Sequence, residues 1–321
     1  MSIYITRRNT LDLISLVVPC YNEQAVLRLF YEETCKAVAD VPAEFEFVLI
    51  NDGSKDGTLQ IMRDLAAEDP RVKYLSFSKN FGKEAGIYAG LSKAKGDYVV
   101  LMDADLQHPP TLIGKMYQTI QETGCDSAAA KRAVRTSDSG LRKFFSKKFF
   151  QLMQKISNTN LVEGATDFRM LSRQMVDAVL SLSEYNRFTK GIFGWVGFDT
   201  VWLDYEDVER AAGETKWSLM GLVRYSLEGV LSFSTTPLAI ASILGILFCV
   251  ISMVMLVYFA VKTWILGGDP VAGFPTIICV IFLLGGIQLL CFGILGQYVA
   301  KMYLETKHRP IYIQKESNIQ P

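Results

Sequence analysis

The sequence lacks the signatures of several common protein classes. Its 33 Lys and Arg residues balance 33 Asp and Glu residues, so no overall positive field attracts nucleic acid. Neither GxGxxG nor GxxxxGK[ST] occurs, and the usual phosphate cradles of dinucleotide-binding and P-loop proteins are therefore absent. Two histidines cannot form an HExxH or multi-histidine metal site, and the six cysteines show no CxxC spacing. Half of the residues are apolar, which excludes a disordered chain.

Two long stretches near the C-terminal end contain no charge at all. None lies between Glu228 and Lys262, and none between Asp269 and Lys301. Each interval exceeds the roughly 20 residues that cross a bilayer core. We therefore expect a hairpin of two transmembrane helices at about 236–261 and 274–300. The alternative, two buried core helices, would leave each helix without a polar face for solvent.

The basic residues near these spans predict their orientation. They lie before the first span and after the second: Arg210, Lys216, Arg224, Lys301, Lys307 and Arg309. The segment that connects the two spans has only Lys262. The positive-inside rule therefore predicts that both termini are cytoplasmic, in a multi-pass protein of the inner (plasma) membrane. Ala241 and Gly245 form a small-xxx-small pair, which allows a homo-oligomer.

The first 200 residues alternate between strand and helix patterns. Strands are expected at 13–18, 45–51, 72–77, 98–102 and 125–131, and helices at 22–38, 57–68, 83–95 and 110–124. Asn22 is the expected N-cap of the first helix. This alternation predicts an α/β fold with a parallel, doubly wound sheet, in which ligands bind beyond the carboxyl ends of the strands.

Acidic clusters follow those strands. Asp103 and Asp105 come directly after the strand at 98–102, where two carboxylates can reach one hard cation. Gln107 can add a further oxygen, and such ligands suit Mg²⁺ or Mn²⁺ bridging a diphosphate. A metal there would neutralise charge on a departing nucleoside diphosphate. The alternative for this sequence is a solvated turn.

Each of three further groups of residues has a functional and a structural interpretation. Asp52 follows the second strand, where it can accept a hydrogen bond from a base or form an Asx-type turn. Lys83 starts a helix, a position that attracts anions, or it is a solvated lysine beside a cap. Asp167 and Arg169 flank Phe168 in an expected loop, where they line a site or form a structural ion pair.

Basic and aromatic residues alternate over 131–157 with helical spacing. This pattern predicts an interfacial amphipathic helix on membrane lipid, with nucleic-acid binding as the alternative. Residues 216–235 form a second expected juxtamembrane helix that leads into the first span. Just before it, the segment from Arg210 to Trp217 can close over phosphates or act as a positive anchor beside an interfacial Trp.

Six motifs occur in one order ahead of the two spans: VVPCYNE, NDGSKDGT, NFGKEAGIYAGL, DADLQHPP, TDFRMLSR and RAAGETKW. Together they resemble the polyprenyl-phosphate glycosyltransferases of glycosyltransferase family 2, most closely the bacterial undecaprenyl-phosphate glucosyltransferases, which are similar to dolichyl-phosphate mannose synthases. The resemblance extends from Ser15 to about Pro310. It implies a GT-A fold in residues 1–215, with 236–300 as the membrane hairpin and 301–321 as a cytoplasmic tail. The processive-synthase motif QxxRW is absent, so a chain-building synthase is not expected.

The resemblance also implies a role for each matching residue. The nucleotide sugar would be held by Pro19, Tyr21, Glu23, Asp52, Lys83 and Asp103, with Arg210 and Lys216 closing on the diphosphate. The metal would be held by Asp103, Asp105 and Gln107. The lipid phosphate would bind Arg132, Arg142 and Ser146, and the catalytic residues would be Asp105, Asp167 and Arg169.

The implied reaction moves one sugar, with inversion, from a sugar nucleotide to polyprenyl phosphate for a cell-envelope polysaccharide. UDP-glucose is the donor that the resemblance favours. GDP-mannose, a UDP-N-acetylhexosamine and an aminoarabinose donor are the alternatives within this reaction. A non-catalytic nucleotide-binding membrane tether is the alternative from another class.

Overall fold

The computed structural model describes residues 11–132, 164–205 and 274–319, together with single positions between 238 and 265. The strands are β1 (Leu13–Cys20), β2 (Glu44–Asn51), β3 (Val72–Phe77), β4 (Tyr98–Leu101), β5 (Ser127–Arg132), β6 (Ala165–Ser172), β7 (Thr200–Tyr205) and β8 (Gln314–Ser317). The helices are α1 (Leu27–Val38), α2 (Thr58–Glu68), α3 (Lys83–Lys93), α4 (Leu112–Thr123), α5 (Arg173–Ser181), α6 (Thr189–Trp195) and α7 (Phe274–Thr306).

The strands form one sheet in the order β7-β5-β6-β4-β1-β2-β3-β8. The central strands β4, β1, β2 and β3 are parallel to one another, as expected. However, β6 is antiparallel to both β4 and β5, and β8 is antiparallel to β3. The expected parallel sheet is therefore corrected to a mixed one. The expected α/β class is confirmed.

Helices cover both faces of the central strands, which explains why those strands are nearly continuous apolar runs. Alternate β1 side chains such as Leu16 and Val18 join the core beneath α1, α2 and α4. On the other face, Val17 lies against Gly90 of α3, where an added Cβ would be 2.1 Å from Val17 Cγ1. Only glycine allows α3 to approach β1 this closely. The start of α3 is thereby fixed near the carboxyl end of β1.

The first helix starts later than its sequence pattern suggests. Asn22 has a left-handed φ of 57° and is not a helix cap. Its side-chain Oδ1 accepts a hydrogen bond from Lys55 N at 2.9 Å, and Glu23 N donates to Thr58 Oγ1 at 2.9 Å. Because these bonds hold residues 22–26 against the loop after β2, the expected helix at 22–38 is shortened to α1.

Two further corrections concern segments beyond residue 124. The motif containing Asp167 and Arg169, expected in a loop, forms β6. Lys131 and Arg132 end β5, with Lys131 opposite Asp204 of β7, so the expected interfacial helix cannot begin at 131. Its remainder at 133–157 and the expected helix at 216–235 lie outside the described residues.

Residues 301–321 do not form a separate tail. Helix α7 continues to Thr306, six residues beyond its expected end. The segment that follows returns to the sheet, where β8 pairs with the outer edge of β3. The unit that contains the sheet accordingly includes 309–321, whereas α7 belongs to a second compact unit.

Within the part of the chain described here, one segment is long and apolar enough to cross a membrane. This segment is Leu283–Thr306 of α7, which has a mean hydropathy of 1.6 and no buried residues in its apolar window. The described positions between 238 and 265 are helical. Half of the positions in 236–261 lie outside the described residues, so the two-helix hairpin stays a prediction.

Candidate active site

The polar clusters predicted from the sequence meet at one edge of the sheet. β1, β2 and β4 are parallel, so the residues that follow each strand lie at the same end. β6 runs the other way, with Arg169 opposite Leu101. Its early residue Asp167 therefore lies beyond the end of β4, near Asp103. The antiparallel strand β6 thus adds Asp167 to the polar residues that follow β1, β2 and β4 at this edge.

The loops after β2 and β3 are pressed together at Gly53. This residue has a φ of 64°, and a Cβ there would lie 2.3 Å from the carbonyl carbon of Lys79. Next to it, the Asp52 carboxylate accepts hydrogen bonds from Phe81 N at 2.6 Å and Gly82 N at 2.9 Å. Burial raises the pKa of Asp52, although both N–H groups oppose that rise. Asp52 therefore holds the loop that leads into α3.

The Asp52 side chain does not form the expected Asx-type turn; Asn51 instead bonds to the residue three positions on. Asn51 Oδ1 accepts a hydrogen bond from Ser54 N at 3.1 Å, and its Nδ2 donates to Ser76 Oγ at 2.8 Å. The Asp52 carboxylate is consequently available to the neighbouring loop rather than to its own turn.

Lys83, the first residue of α3, joins two of the acidic clusters. Its Nζ lies 2.7 Å from Asp103 Oδ1 and 2.9 Å from Asp167 Oδ2. Burial would lower the pKa of Lys83, but the two carboxylates raise it above its ordinary value. Lys83 is therefore a cation paired with two carboxylates, although 44% of its side chain is exposed.

Asp167 is held in its charged form. Burial alone would raise the pKa of its carboxyl group, but the charges of Lys83 and Lys190 bring that pKa well below its ordinary value. Lys190 Nζ lies 3.8 Å from Asp167 Oδ1, opposite the contact with Lys83. An ionised carboxylate between two ammonium groups can orient charges but is a poor proton acceptor at neutral pH.

Arg169 lies on the same face of β6 as Asp167 and is buried. Its guanidinium carbon lies 4.2 Å from the centre of the Phe193 ring and 5.7 Å from that of Trp202. Nη2 donates to Thr166 O at 3.1 Å, while the buried Nε has no hydrogen-bond partner among the described residues. Burial lowers the pKa of Arg169 to about 10, opposed by the charge of Asp167. The group therefore stays cationic at neutral pH.

Helix α6 contributes residues that the sequence analysis missed. Glu84, next to Lys83 on α3, accepts hydrogen bonds from the backbone N at 2.9 Å and from the hydroxyl of Thr189, the first residue of α6. This contact ties the start of α6 to α3 and brings Lys190 and Phe193 to the reaction centre. The only sequence signal for it is an acidic residue in the first turn of α3, which does not reveal its distant partner.

The residues after β4 form a tight acidic turn. Leu106 has a left-handed φ of 57°, and Gln107 N donates to Asp105 Oδ1 at 3.1 Å. His108 is buried, with its ring centre 5.3 Å from that of Phe168 and 5.7 Å from that of Tyr205. His108 thus anchors the turn in the core beneath β6 and leaves the acidic residues at the sheet edge.

The acidic turn fits a hard cation only with help from a ligand. No three His, Cys, Asp or Glu side chains converge on one point in the described residues. Asp103 and Asp105 nevertheless supply carboxylate oxygens at the strand end, and the Asp103 side chain is 30% exposed. A diphosphate and water can provide the remaining oxygens for Mg²⁺ or Mn²⁺.

The expected nucleoside-binding residues lie beside the Asp52 loop. Pro19 is near the end of β1, where it contacts Gly86 of α3, and Tyr21 is exposed in the following turn. Glu23 lies in the segment bonded to the loop after β2. Arg132 ends β5. Arg142, Ser146, Arg210 and Lys216 lie outside the described residues, so their roles stay predictions.

An α/β domain with carboxylates at the ends of its central strands matches the architecture expected of a glycosyltransferase that uses a nucleotide-linked sugar. The family model "Glycosyl transferase family 2" matches residues 15–180. The chain therefore belongs to glycosyltransferase family 2 and is a transferase, as the sequence motifs predicted.

Similar proteins are found over nearly the full length of the chain. It is 41% identical over 302 residues to the bactoprenol glucosyl transferase of Shigella phage SfV, covering 94% of this chain and 98% of that protein. The prophage bactoprenol glucosyl transferase homolog of Escherichia coli strain K12 has the same identity and coverage. Among solved structures, mannosyl-3-phosphoglycerate synthase from Rubrobacter xylanophilus has a TM-score of 0.47 and 17% identity, covering 68% of this chain and 72% of that one.

Proposed function

We propose that this protein transfers one glucosyl group from UDP-glucose to undecaprenyl phosphate at the cytoplasmic face of the membrane. The observation that carries the proposal is the charge cluster at the sheet edge, where Lys83 joins Asp103 to Asp167. The two relatives named as bactoprenol glucosyl transferases, at 41% identity, support glucose as the sugar and a polyprenyl acceptor.

The donor would bind across the ends of β1, β2 and β4. Its nucleoside would lie on the side of Pro19, Tyr21 and Asp52, and its diphosphate beside the acidic turn. Asp103 and Asp105 would hold the divalent cation, with Gln107 nearby. Such a cation neutralises the charge that develops on the departing nucleoside diphosphate.

The acceptor needs charge compensation more than it needs a base. A lipid monophosphate has a second pKa near 6, so it is largely dianionic at neutral pH and already nucleophilic. Its approach to an anionic donor is opposed by like-charge repulsion. Lys83, Lys190 and Arg169 supply fixed positive groups at this point, and Asp167 orients the two lysines. In-line attack at the anomeric carbon would invert its configuration.

The rest of the chain supports a lipid acceptor. The apolar segment Leu283–Thr306 is long enough to cross a membrane, and the basic aromatic sequence at 133–157 is typical of an interfacial helix. Arg132, Arg142 and Ser146 would then receive the lipid phosphate. We propose a multi-pass anchor with the catalytic domain in the cytoplasm, and self-association through the small residues Ala241 and Gly245.

Two sets of alternatives make different demands on this site. GDP-mannose, a UDP-N-acetylhexosamine or an aminoarabinose donor would use the same charges with a different sugar pocket. A non-catalytic tether would need nucleotide binding only. It gives no reason to keep Lys83 between two carboxylates or to bury Arg169 against Phe193 and Trp202.

The test is sugar transfer by the full chain in detergent. Labelled sugar nucleotides are supplied singly with undecaprenyl phosphate and Mg²⁺ or Mn²⁺, and label in the lipid fraction is counted. We expect transfer from UDP-glucose, loss of transfer in Asp105→Ala, and unchanged transfer in the control Asp64→Ala on the exposed side of α2. Transfer from another donor alone would overturn the assignment of glucose. Nucleotide binding without transfer from any donor would favour the tether.

A further inference from the structure

The segment that follows α7 reaches the loop at the active site through three aromatic rings. Tyr312 stacks on Phe77 at the end of β3, with ring centres 4.8 Å apart and planes inclined by 23°. Phe77 in turn meets Phe81 edge-on, with centres 5.8 Å apart. Phe81 is the residue whose backbone N–H donates to Asp52. The rings therefore form a continuous contact from Tyr312 to the loop 79–82, which leads into Lys83.

Tyr312 is held in place independently of that loop. Ser78 N donates to Ile313 O at 2.9 Å, and β8 pairs with β3 directly after it. Further along the strand, Glu316 accepts hydrogen bonds from Arg63 at 2.6 Å and 2.8 Å and from the Tyr74 hydroxyl at 2.8 Å. The bond from Ser78 fixes the backbone next to Tyr312, whereas the Glu316 contacts hold the strand that follows.

The backbone of the loop is held by close packing of Lys79 on Gly53 and by Asp52. Gly82 has a φ of 95°, and among the described residues no atom lies within 4 Å of the place that its Cβ would take. Lys79 Nζ lies 5.1 Å from the Phe81 ring, on a residue within the same loop. The Asp52 carboxylate fixes the backbone, whereas the orientation of the Phe81 ring depends on Phe77 and, behind it, on Tyr312.

We propose that Tyr312 is a positioning residue for the donor site. By fixing Phe77 and Phe81, it keeps the N–H groups of Phe81 and Gly82 on Asp52 and Lys83 between the acidic clusters. The chain segment after the apolar helix is thus part of the active site's support. This inference rests on the proposed function only where it concerns the donor; the effect on the loop does not depend on which sugar is transferred.

The first readout is amide hydrogen exchange in the full chain in detergent, measured on peptides that cover 78–84. The amides of Phe81 and Gly82 report directly on their bonds to Asp52. In Tyr312→Ala we expect exchange there to accelerate about three- to tenfold, the range expected for loss of one aromatic pair. Tyr312→Phe keeps the ring and should exchange like the wild type. If the Ala variant does not fold, Tyr312→Leu is compared with Tyr312→Phe instead.

The control is Glu316→Gln, which weakens β8 without touching the aromatic rings. It should accelerate exchange in 72–78 and 314–318 but leave the amides of Phe81 and Gly82 unchanged. The second readout is the affinity for UDP-glucose, which we expect to fall by a similar factor in Tyr312→Ala and to be retained in Tyr312→Phe and Glu316→Gln.

Unchanged exchange at Phe81 and Gly82 in Tyr312→Ala would overturn the inference, as would equal acceleration there in Glu316→Gln or in Tyr312→Phe. If the wild type binds no UDP-glucose, the proposed donor is wrong. The exchange comparison then still decides whether Tyr312 positions the loop.

Discussion

Lys83 Nζ lies 2.9 Å from Oδ2 of Asp167, although the two residues are 84 positions apart in the chain. The same ammonium group contacts Asp103 after β4. One cation therefore connects the start of α3, the end of β4 and the beginning of β6. The geometry of the reaction centre depends on this connection, because each of its three segments enters the site from a different part of the sheet.

Removing the Lys83 charge should lower the rate of sugar transfer far more than it lowers the stability of the fold. In Lys83→Gln the two carboxylates lose the cation between them, and only Lys190 remains beside Asp167. We expect kcat to fall by about 10²-fold, as for other preorganised charges in active sites. Lys83→Arg should retain part of the activity. The measurement is steady-state transfer of labelled sugar into lipid.

The matched control for Lys83→Gln is Lys36→Gln, which removes an exposed lysine paired with Glu33 on α1. We expect it to transfer sugar like the wild type. Wild-type turnover in Lys83→Gln would mean that the lysine is a structural bridge without a role in the reaction.

Asp167→Asn should lower the rate without changing the shape of its pH dependence. The folded pKa of Asp167 lies well below its ordinary value, so the carboxylate is ionised throughout pH 5.5–9. We expect kcat to drop by about tenfold to 10²-fold because Lys83 and Lys190 lose their shared anion. Rates of the wild type and the variant are measured across that pH range. If the wild type has an ionisation limb that the variant lacks, Asp167 acts as a general base.

Phe193→Leu should separate the stacking of Arg169 from simple packing. The substitution keeps an apolar side chain but removes the ring 4.2 Å from the guanidinium, at a cost of about 1–2 kcal/mol in the free energy of unfolding. We also expect slower transfer, because Arg169 is no longer fixed in orientation. Thermal unfolding and transfer rates are measured on the same preparation.

Ile192→Val is the control for that experiment. Ile192 is buried in the same helix, and the loss of one methylene group costs a similar free energy of about 0.5–1.5 kcal/mol. It should destabilise the protein while leaving transfer unchanged. Equal losses of activity in both variants would show that α6 acts through stability alone.

Glu316 should make β8 sensitive to acid. Hydrogen bonds from Arg63 and Tyr74 lower the pKa of Glu316 to about 2, against about 4.3 in an unfolded chain. Its stabilising contribution is therefore complete above about pH 4.3 and is lost as the pH falls toward 2. We expect the Tm difference between the wild type and Glu316→Gln to be constant from pH 5 to 7 and to narrow below that. A constant difference down to pH 3 would contradict this linkage.

The central strands could be predicted because each is a short apolar, β-branched run that ends at turn residues. The range 72–77 was predicted as it is found, and β2 and β4 differ from prediction by one residue. β8 could not be predicted. Its sequence QKES is polar, and it forms only because the edge of β3 and the side chain of Arg63 lie beside it.

The candidate site likewise contains residues that the sequence reveals and residues that it does not. Asp103 and Asp167 are found by their motifs, and the structure brings both to Lys83. Lys190, Glu84 and Tyr312 have no such signal, because each acts through a side-chain contact with a residue far away in the chain. The sequence also presents Asn22 as an ordinary helix cap; only the loop after β2 reveals why its backbone is left-handed.

The position of β8 sets an order for biosynthesis. A chain grows from its N-terminus, so β3 leaves the ribosome well before its partner strand β8, which follows the apolar helix α7. Until then the outer edge of β3 offers its backbone groups to any neighbouring strand. The sheet is completed only after α7 has been synthesised. Until the segment that follows α7 is made, the edge of the nascent catalytic domain at β3 stays unpaired.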